Sequence, residues 1–393
     1  MKQAYRIGLS GLALALFALP ATLQADPAAN PVISPVMPLV AEAPVALLMD
    51  MTSGQVLHAQ EPDRRFVPAS VTKVMSAYVA FEMIDSGKLD RNQRFTVSEK
   101  LAKEWSGTGS TMFLKSGETV SVDQLLHAIT AVSANDGSVM LAEGVSGSLE
   151  KWLAEMNAAA ADLGMTNSHF GTPNGWPDEG RTFTTARDLA KLAKAMIERH
   201  PQLYARYFGK PGYSHNGFTQ RNHDPITGVV RGADGIKTGY TREAGYNFLG
   251  SAARDGRRLV IVVAGAAGNE LRGRIARDYV EWGFSSFQPH PVFPAASPVG
   301  RARVQGGADR SVGLRSSAPI VADMPSGETR KVELSLHYRG PLKAPVVKGS
   351  RVAELEVRVD GFEPYRVPLE AADDVPVANA WQRMINGVVG LFG

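Results

Sequence analysis

The sequence predicts an α+β protein in which an antiparallel sheet flanked by helices is followed by a small all-β domain and a C-terminal amphipathic helix. Three observations support this prediction. Apolar residues recur at helical spacing in several segments between residues 70 and 163. Three apolar runs joined by glycine-containing turns lie between residues 235 and 264 and predict neighbouring antiparallel strands. Beyond residue 290, the chain is rich in valine, proline and glycine, with the alternation typical of short strands.

The first half of the chain is predicted to contain a β-hairpin and several helices. The hairpin has strands over residues 45–50 and 55–58, around the turn Met51-Thr52-Ser53-Gly54. Pro68 and Ala69 precede a helix predicted over residues 70–86, which Gly87 ends. Further helices are predicted over residues 122–132, 139–143 and 149–163, with residues 133–137 as the loop between the first two.

The second half is predicted to be mostly β-structure until its last residues. Strands are expected over residues 235–239, 246–250 and 257–264, and again over 331–338 and 353–359. The chain ends in an apolar stripe at helical spacing, formed by Trp381, Met384, Ile385, Val388, Leu391 and Phe392. Such a stripe can lie in a membrane interface. The alternative is a helix that packs on the protein's own core.

The N-terminus has the three regions of a secretory signal peptide. Lys2 and Arg6 precede an apolar run over residues 7–19, and small residues then lead to Ala25, where we expect cleavage. A retained membrane anchor is disfavoured because the run is short for a bilayer span. The expected organisation is a signal peptide (1–25), an extended lead-in (26–40), a catalytic domain (41–290), a β-rich domain (291–376) and a membrane-anchoring helix (377–393).

Composition excludes several classes of function. The 393 residues include no cysteine, so thiol nucleophiles, disulfides and thiolate metal sites are ruled out. The eight histidines contain no His-Glu-x-x-His pair, and we predict neither a metal nor a cofactor. The formal net charge is only +3 and falls further when Lys2 and Arg6 leave with the signal peptide, so nucleic-acid binding is not expected.

Three short motifs in a fixed order carry the chemistry. They are Ser70-Val71-Thr72-Lys73, Ser133-Ala134-Asn135 and Lys237-Thr238-Gly239. Together they supply a hydroxyl nucleophile beside an amine, a second hydroxyl beside an amide, and a further cation beside a hydroxyl. These are the groups that acyl transfer requires, so the motifs predict an acyl-transfer enzyme.

Each motif also has a second match in the chain. Ser148-Leu149-Glu150-Lys151 fits the first pattern, but Ser148 precedes an apolar helical run and is expected to be its N-cap. Ser214-His215-Asn216 fits the second and Lys115-Ser116-Gly117 is a variant of the third, and both are expected to be loops. A structural alternative also exists for Asn135 and Asp136, which could simply form a turn.

The predicted elements bring the first motif together. Ser70 and Lys73 are three residues apart on a predicted helix, so their side chains share a face. Ser70 also lies at the helix N-terminus, where backbone N–H groups and the helix dipole favour developing negative charge. The relative orientation of Lys237, Thr238 and Gly239 stays open, because alternate residues of a strand point to opposite faces unless the strand twists or lies at an edge.

With its motifs and their flanks, the chain resembles the low-molecular-mass penicillin-binding proteins, which are serine-type D-alanyl-D-alanine carboxypeptidases. The flanking matches are Pro68-Ala69, Met112-Phe113-Leu114-Lys115-Ser116-Gly117, Asp234-Gly235-Ile236 and Ala244-Gly245-Tyr246-Asn247. The resemblance covers roughly residues 40–290, and the leader, β-domain and terminal helix match the family's layout. It implies a β-lactamase/transpeptidase-like catalytic domain without a cofactor. It also implies a periplasmic location on the outer face of the inner membrane.

The resemblance implies a substrate and a role for each site residue. The substrate is a peptidoglycan stem peptide ending in D-Ala-D-Ala, and β-lactam antibiotics react at the same place. Ser70 is the expected nucleophile and Lys73 its base, since burial and the cation of Lys237 favour a neutral amine. Ser133 is expected to relay a proton to the leaving amine, and Asn135 to orient the substrate and Lys73.

The remaining site residues are expected to bind the substrate. The backbone N–H groups of Ser70 and Tyr240 form the implied oxyanion hole beside Gly239. Thr238 and Arg274 are expected to bind the terminal carboxylate, with Arg272 as the alternative arginine. The chain departs from the family by having Ala134 in place of a frequent glycine and Tyr240 in place of a frequent histidine. Because the family uses the backbone N–H at the position of Tyr240, the side-chain change there is expected to alter rate or substrate preference before it abolishes activity. Neither change is expected to remove the mechanism.

Two other functions remain open at this point. A serine β-lactamase would need a carboxylate base for fast deacylation, and the sequence does not place one. A catalytically idle cell-wall binding or scaffold protein would use the β-domain and the terminal helix, but the complete set of motifs argues against it.

Overall fold

The computed structural model describes residues 3–6 and 42–382. The described residues fall into two compact units. The larger unit contains residues 42–284 apart from the turn Ser53–Gln55, which groups with the smaller unit. The smaller unit also contains the residues from Ser285 onward and a short N-terminal strand, β1 (Gln3–Arg6).

The larger unit combines one main sheet with helices. In chain order its elements are β2 (Val45–Asp50), β3 (Val56–Gln60), a 3₁₀ turn (Ala69–Thr72), α1 (Lys73–Asp85), β4 (Arg94–Thr96), α2 (Glu99–Trp105), β5 (Thr119–Ser121), α3 (Val122–Ala131), α4 (Asn135–Ser146), α5 (Leu149–Asp162), α6 (Ala186–Arg199), α7 (Pro201–Tyr207), β6 (Gly212–His215), β7 (Phe218–Arg221), β8 (Ala233–Thr241), β9 (Gly245–Arg254), β10 (Arg257–Ala266) and α8 (Asn269–Ser286).

The main sheet is antiparallel, with strand order β3-β2-β10-β9-β8. The predicted meander is therefore confirmed, and β8, which carries Lys237-Thr238-Gly239, is an edge strand. Its register with β9 places Gly239 opposite Asn247 and Tyr240 opposite Tyr246. An edge strand leaves backbone N–H and C=O groups on its outer side free to pair with another chain.

Both faces of the sheet are buried, which explains the nearly continuous apolar run of β10. On one face, Leu47 and Val262 belong to the same core as α1, α3 and α6. On the other face, α8 lies so close that a side chain at Gly283 would meet Leu48 and Leu259. β8 is thus the edge of a sheet that is packed on both faces.

The helices near the three motifs differ slightly from the predicted ones. Ser70 lies in the 3₁₀ turn and the α-helix itself begins at Lys73. The loop predicted over residues 133–137 is shorter, because α4 already begins at Asn135. The prediction of helices over 122–132 and 149–163 agrees with α3 and α5 to within one residue at either end.

The smaller unit is all-β. Its strands are β11 (Phe287–Phe293), β12 (Pro298–Gln305), β13 (Ser311–Arg315), β14 (Ile320–Pro325), β15 (Val332–Tyr338), β16 (Leu342–Lys343), β17 (Arg351–Val359) and β18 (Tyr365–Ala371). One sheet has the order β1-β15-β17-β18-β13-β12-β16, and β11 pairs with β14. Buried residues alternate along β17 and β18, as Leu355, Val357 and Leu369 illustrate, and form a separate core.

The two ends of the chain are only partly described. Gln3–Arg6 pairs with β15, and the rest of the predicted signal peptide and lead-in lies outside the described residues. At the C-terminus, residues 380–382 are helical, and the remainder of the predicted amphipathic helix lies outside the described residues. Within the described ranges, no helix combines the length and the apolar character needed to cross a bilayer.

Candidate active site

The side chains of Ser70 and Lys73 touch at the start of α1. Lys73 Nζ lies 2.9 Å from Ser70 Oγ. This contact follows from the 3₁₀ turn, in which residues three apart lie one above the other. Lys73 also donates to Asn135 Oδ1 at 2.8 Å and to the carbonyl of Asn174 at 2.7 Å. Its amine is therefore held in one position beside the hydroxyl.

Lys73 is buried, and its environment favours the neutral amine. Burial is the main cause that lowers the pKa of Lys73 well below its ordinary value, and the cation of Lys237 lowers this pKa further. The carboxylate of Asp136 acts in the opposite direction. A neutral amine in contact with a hydroxyl is the arrangement that a general base requires.

The second motif lies on the tight turn between α3 and α4. Ser133 has a φ of +63°, a left-handed conformation that is uncommon for a residue with a side chain. Asn135 is buried, donates to the carbonyl of Thr108 at 2.9 Å, and accepts from Lys73. The turn thus connects Lys73 to the loop that forms one wall of the cleft.

Asp136 fixes this wall. Its carboxylate is fully buried and accepts hydrogen bonds from the backbone N–H groups of Met112 and Leu114, each at 3.0 Å, and of Gly137 at 2.8 Å. Burial raises the pKa of Asp136, and these backbone hydrogen bonds oppose that rise. Asp136 therefore does more than form a turn, because it holds the segment around residue 112 against the start of α4.

The third motif lies along the outer edge of the sheet. Lys237 is buried and its Nζ donates to the carbonyl of Thr238 at 3.1 Å. Burial and the nearby guanidinium of Arg272 lower the pKa of Lys237 to about 7, against a smaller opposing effect of Asp224. Thr238 and Gly239 both line the cleft, because the cleft follows the edge of β8.

Two glycines allow the backbone to approach the Ser70 turn closely. A Cβ at Gly239 would lie 2.4 Å from the carbonyl oxygen of Pro68 and 3.2 Å from the backbone nitrogen of Ser70. Gly175 has a φ of +75°, and a Cβ there would lie 1.9 Å from the carbonyl oxygen of Ala69. The turn that carries Ser70 is thus held between β8 and the segment around residue 175.

These elements enclose a cleft of about 520 Å³. Of the predicted site residues, Ser70, Ser133, Asn135, Thr238, Gly239 and Tyr240 line it. Lys73 and Lys237 are buried behind its surface and interact with each other electrostatically. Tyr240 is exposed, and its ring stacks on Tyr246 with centroids 4.2 Å apart.

The structure places Arg274 outside the cleft and Arg272 at its wall. Arg274 does not line the cleft and forms an exposed ion pair with Glu42 at 3.1 Å. Arg272 lines the cleft, is buried and donates to Asn269 Oδ1 at 2.6 Å. Its Nε has no hydrogen-bond partner among the described residues. The two arginines lie two positions apart near the start of α8, so they point in different directions, which the sequence alone could not assign.

The structure adds cleft residues that the sequence analysis did not select. The carbonyl of Asn174 accepts from Lys73, Gly175 lies against the Ser70 turn, and Trp176 and His223 line the cleft. Burial, Lys237 and Arg272 together lower the pKa of His223. The sequence does contain a signal for Asn174 and Gly175. They form an Asn-Gly pair after a proline, which marks a turn where the backbone can approach another segment closely.

The additional motif matches lie elsewhere. Ser148 is the N-cap of α5 and accepts from the backbone N–H of Lys151 at 3.3 Å, which confirms its predicted capping role. Ser116 lies in a turn, as predicted. The loop prediction for Ser214 is wrong, because Ser214 lies in β6 and its hydroxyl pairs with that of Thr219 at 2.9 Å. A short hairpin with exposed strands lacks the long apolar run on which strand prediction depends.

Comparison with protein families gives two matches that together cover most of the chain. Residues 33–268 match the peptidase S11 family, D-alanyl-D-alanine carboxypeptidase. Residues 287–377 match the C-terminal domain of penicillin-binding protein 5.

Individual relatives agree with these matches. D-alanyl-D-alanine carboxypeptidase DacF of Bacillus subtilis (strain 168) is 31% identical over 346 residues, which are 86% of this chain and 87% of the relative. The crystal structures of penicillin binding protein 5 from Haemophilus influenzae superimpose with a TM-score of 0.72 at 30% identity, covering 85% of this chain and 98% of that one. Penicillin-binding protein D2 from Listeria monocytogenes, in its ampicillin-bound form, gives a TM-score of 0.56 at 28% identity, covering 62% of this chain and 98% of that one.

Proposed function

The chain belongs to the D-alanyl-D-alanine carboxypeptidase family, and from this premise we propose that it removes the terminal D-alanine of peptidoglycan stem peptides through an acyl-enzyme on Ser70. The protein is a serine-type D-Ala-D-Ala carboxypeptidase of the bacterial cell wall with the fold of its family. The observation that carries the assignment to Ser70 is the buried Lys73 amine, 2.9 Å from its hydroxyl oxygen.

In the first step, the neutral amine of Lys73 takes the proton of Ser70 Oγ as this oxygen attacks the carbonyl carbon of the penultimate D-alanine. A serine hydroxyl needs such a base within hydrogen-bond reach. Asn135 and the carbonyl of Asn174 keep the amine in place, so little reorganisation is needed when the proton moves.

The attack places a negative charge on the carbonyl oxygen. The backbone N–H groups of Ser70 and Tyr240 stabilise this oxyanion, since the missing side chain at Gly239 lets β8 approach the Ser70 turn. Ser133 relays a proton to the leaving amine of D-alanine: it gives its own hydroxyl proton to this amine and takes up the proton that Lys73 received from Ser70, with Lys237 as the nearby cation. Lys237 can take part in this transfer because its pKa is about 7.

The free carboxylate of the substrate distinguishes a carboxypeptidase from other peptidases. We assign its binding to Thr238 and Arg272, in place of Arg274. Supporting this, Arg272 is buried at the cleft wall, and its Nε lacks a partner among the described residues. A guanidinium matches a carboxylate in two parallel hydrogen bonds, so the site would select a substrate with a free C-terminus.

Water then hydrolyses the acyl-enzyme. With a β-lactam, the same attack opens the ring, and the amine stays attached to the acyl group and cannot leave. A long-lived penicilloyl ester on Ser70 is therefore expected, in agreement with the ampicillin-bound form of the Listeria relative. The cleft-lining residues of the described chain include no carboxylate, which argues against the fast deacylation of a β-lactamase.

The domain organisation and location are part of the proposal. We propose the division 1–25, 26–40, 41–290, 291–376 and 377–393, supported by the compact unit that ends at Phe284 and the family match that begins at residue 287. Removal of the signal peptide would also remove β1 and free the edge of β15. The protein would then act in the periplasm, attached to the outer face of the inner membrane by its terminal helix.

Two measurements test these proposals. Purified protein lacking residues 1–25 should release D-alanine from a pentapeptide ending in D-Ala-D-Ala, and Ser70→Ala should abolish this release while Ser148→Ala keeps it. Equal loss in both variants, or no release by the wild type, would contradict the assignment. Deleting residues 378–393 should turn a membrane-pelleting protein soluble, and an unchanged distribution would refute the anchor.

A further inference from the structure

A basic groove adjoins the active-site cleft at the turn between β8 and β9. It has a volume of about 630 Å³. Arg64 and Arg65, which closely precede the Ser70 turn, line the groove together with Arg242. The stacked rings of Tyr240 and Tyr246 border both the groove and the cleft. The groove is therefore a continuation of the cleft beyond this aromatic pair.

The groove carries an excess of positive charge. Glu243 is the one carboxylate among its described lining residues, against three guanidinium groups. The nearby carboxylate of Asp63 is already paired with Arg187 at 2.8 Å. Arg65 is held in place, since it donates to Asn167 Oδ1 at 3.1 Å and lies over the ring of Phe183, 4.6 Å from its centroid. An anion in the groove would thus lie among more cations than carboxylates.

The direction of a bound peptide follows from the proposed function. Its terminal carboxylate lies near Thr238 and Arg272, and its reacting carbonyl lies near Tyr240. The peptide therefore runs antiparallel to β8, which is an edge strand of the sheet formed by the described residues. Each residue further upstream advances by about 3.3 Å along the strand. The penultimate D-alanine, whose carbonyl carbon Ser70 attacks, is the acylating D-alanine. The second residue upstream of it consequently lies beside Arg242.

We propose that this groove is a substrate subsite that binds an anionic residue of the peptide, located two residues upstream of the acylating D-alanine. The proposal rests on the proposed function of the cleft. The groove then distinguishes a carboxylate at this position from a neutral side chain, while the chemistry at Ser70 stays the same.

A matched pair of peptides tests the proposal. N-acetyl-Glu-Lys(acetyl)-D-Ala-D-Ala and its Gln counterpart differ only in the charge at the relevant position. We expect kcat/KM to be about three- to tenfold higher for the Glu peptide at low salt, because each exposed ion pair contributes only a modest free energy to substrate binding. High salt should reduce this ratio, since the pairs are exposed.

Variants identify the groove as the source of the preference. In the double variant Arg64→Gln/Arg242→Gln, the ratio between the two peptides should fall to about one, and Arg242→Glu should favour the Gln peptide. Arg231→Gln is the control, because Arg231 is an exposed arginine of the same unit that pairs with Asp255 and lines neither cavity. This control should keep the wild-type ratio.

The outcomes separate this proposal from the proposed function. A wild-type ratio of one, or a ratio that the double variant leaves unchanged, overturns the subsite. Failure of the carboxypeptidase assignment gives a different result, namely no D-alanine from either peptide.

Discussion

The substitution Gly239→Ala tests whether the close approach of β8 to the Ser70 turn creates the oxyanion hole. The new methyl group would lie 2.4 Å from the carbonyl oxygen of Pro68 and 3.1 Å from Val71 Cγ2. Both neighbours belong to the turn that carries Ser70. Pro68 presents a backbone carbonyl, which cannot rotate away as a flexible side chain could.

The size of the effect follows from this distance. Carbon atoms in ordinary contact are about 3.5 Å or more from their neighbours, so the strand and the turn must separate by roughly 1 Å. A displacement of about 1 Å at a reacting centre costs on the order of 100-fold in rate. Loss of one oxyanion-hole donor costs about 100- to 1,000-fold. We therefore expect kcat/KM for D-alanine release to fall by at least about 100-fold.

The assay needs a control for folding. Overpacking at Gly239 is expected to cost about 1–3 kcal/mol, which lowers the melting temperature by several degrees but leaves the protein folded at 25 °C. Gly268→Ala is the matched control, since its Cβ would meet only Leu271 Cβ at 4.0 Å. If Gly239→Ala keeps kcat/KM within threefold of the wild type, the close approach does not create the oxyanion hole.

Three further predictions follow from the charges of the site. The kcat/KM should decline as the pH rises through about 7, because Lys237 loses its proton there. Lys237→Arg should move this decline to higher pH. A decline at the same pH in the variant would mean that another group causes it. Arg272→Gln should lower kcat/KM about 10- to 100-fold, mainly by raising KM, while Arg274→Gln should leave kcat/KM within twofold of the wild type. The reverse result would assign the binding of the substrate carboxylate to Arg274. Asp136→Asn should lower the free energy of unfolding by about 1–3 kcal/mol, because the amide offers one acceptor oxygen to three backbone N–H groups, and an unchanged urea midpoint would contradict this role.

The sequence predicted the parts of the site that depend on local spacing. The three-residue step between Ser70 and Lys73 brings the two side chains together in any helical turn. The apolar runs and glycine turns correctly predicted the meander that carries Lys237. The N-cap role of Ser148 was also predicted correctly, because a serine directly before an apolar helical run is typical of an N-cap.

Other features depend on tertiary contacts that no spacing reveals. The choice between Arg272 and Arg274 depends on how α8 is rotated against the sheet. The burial of Asp136 depends on the segment around residue 112, because the Asp136 carboxylate accepts hydrogen bonds from the backbone N–H groups of this segment. The approach of Gly175 to the Ser70 turn joins segments about 100 residues apart in the chain, and only the folded structure brings them together.

The identity of the acylated residue tests the proposed mechanism most stringently. Purified protein incubated with benzylpenicillin should gain the mass of one penicilloyl group, and tandem mass spectrometry should locate it on Ser70. The adduct should be absent in Ser70→Ala and present in Ser148→Ala. An adduct that persists in Ser70→Ala, or that maps to another serine, would show that Ser70 is not the nucleophile.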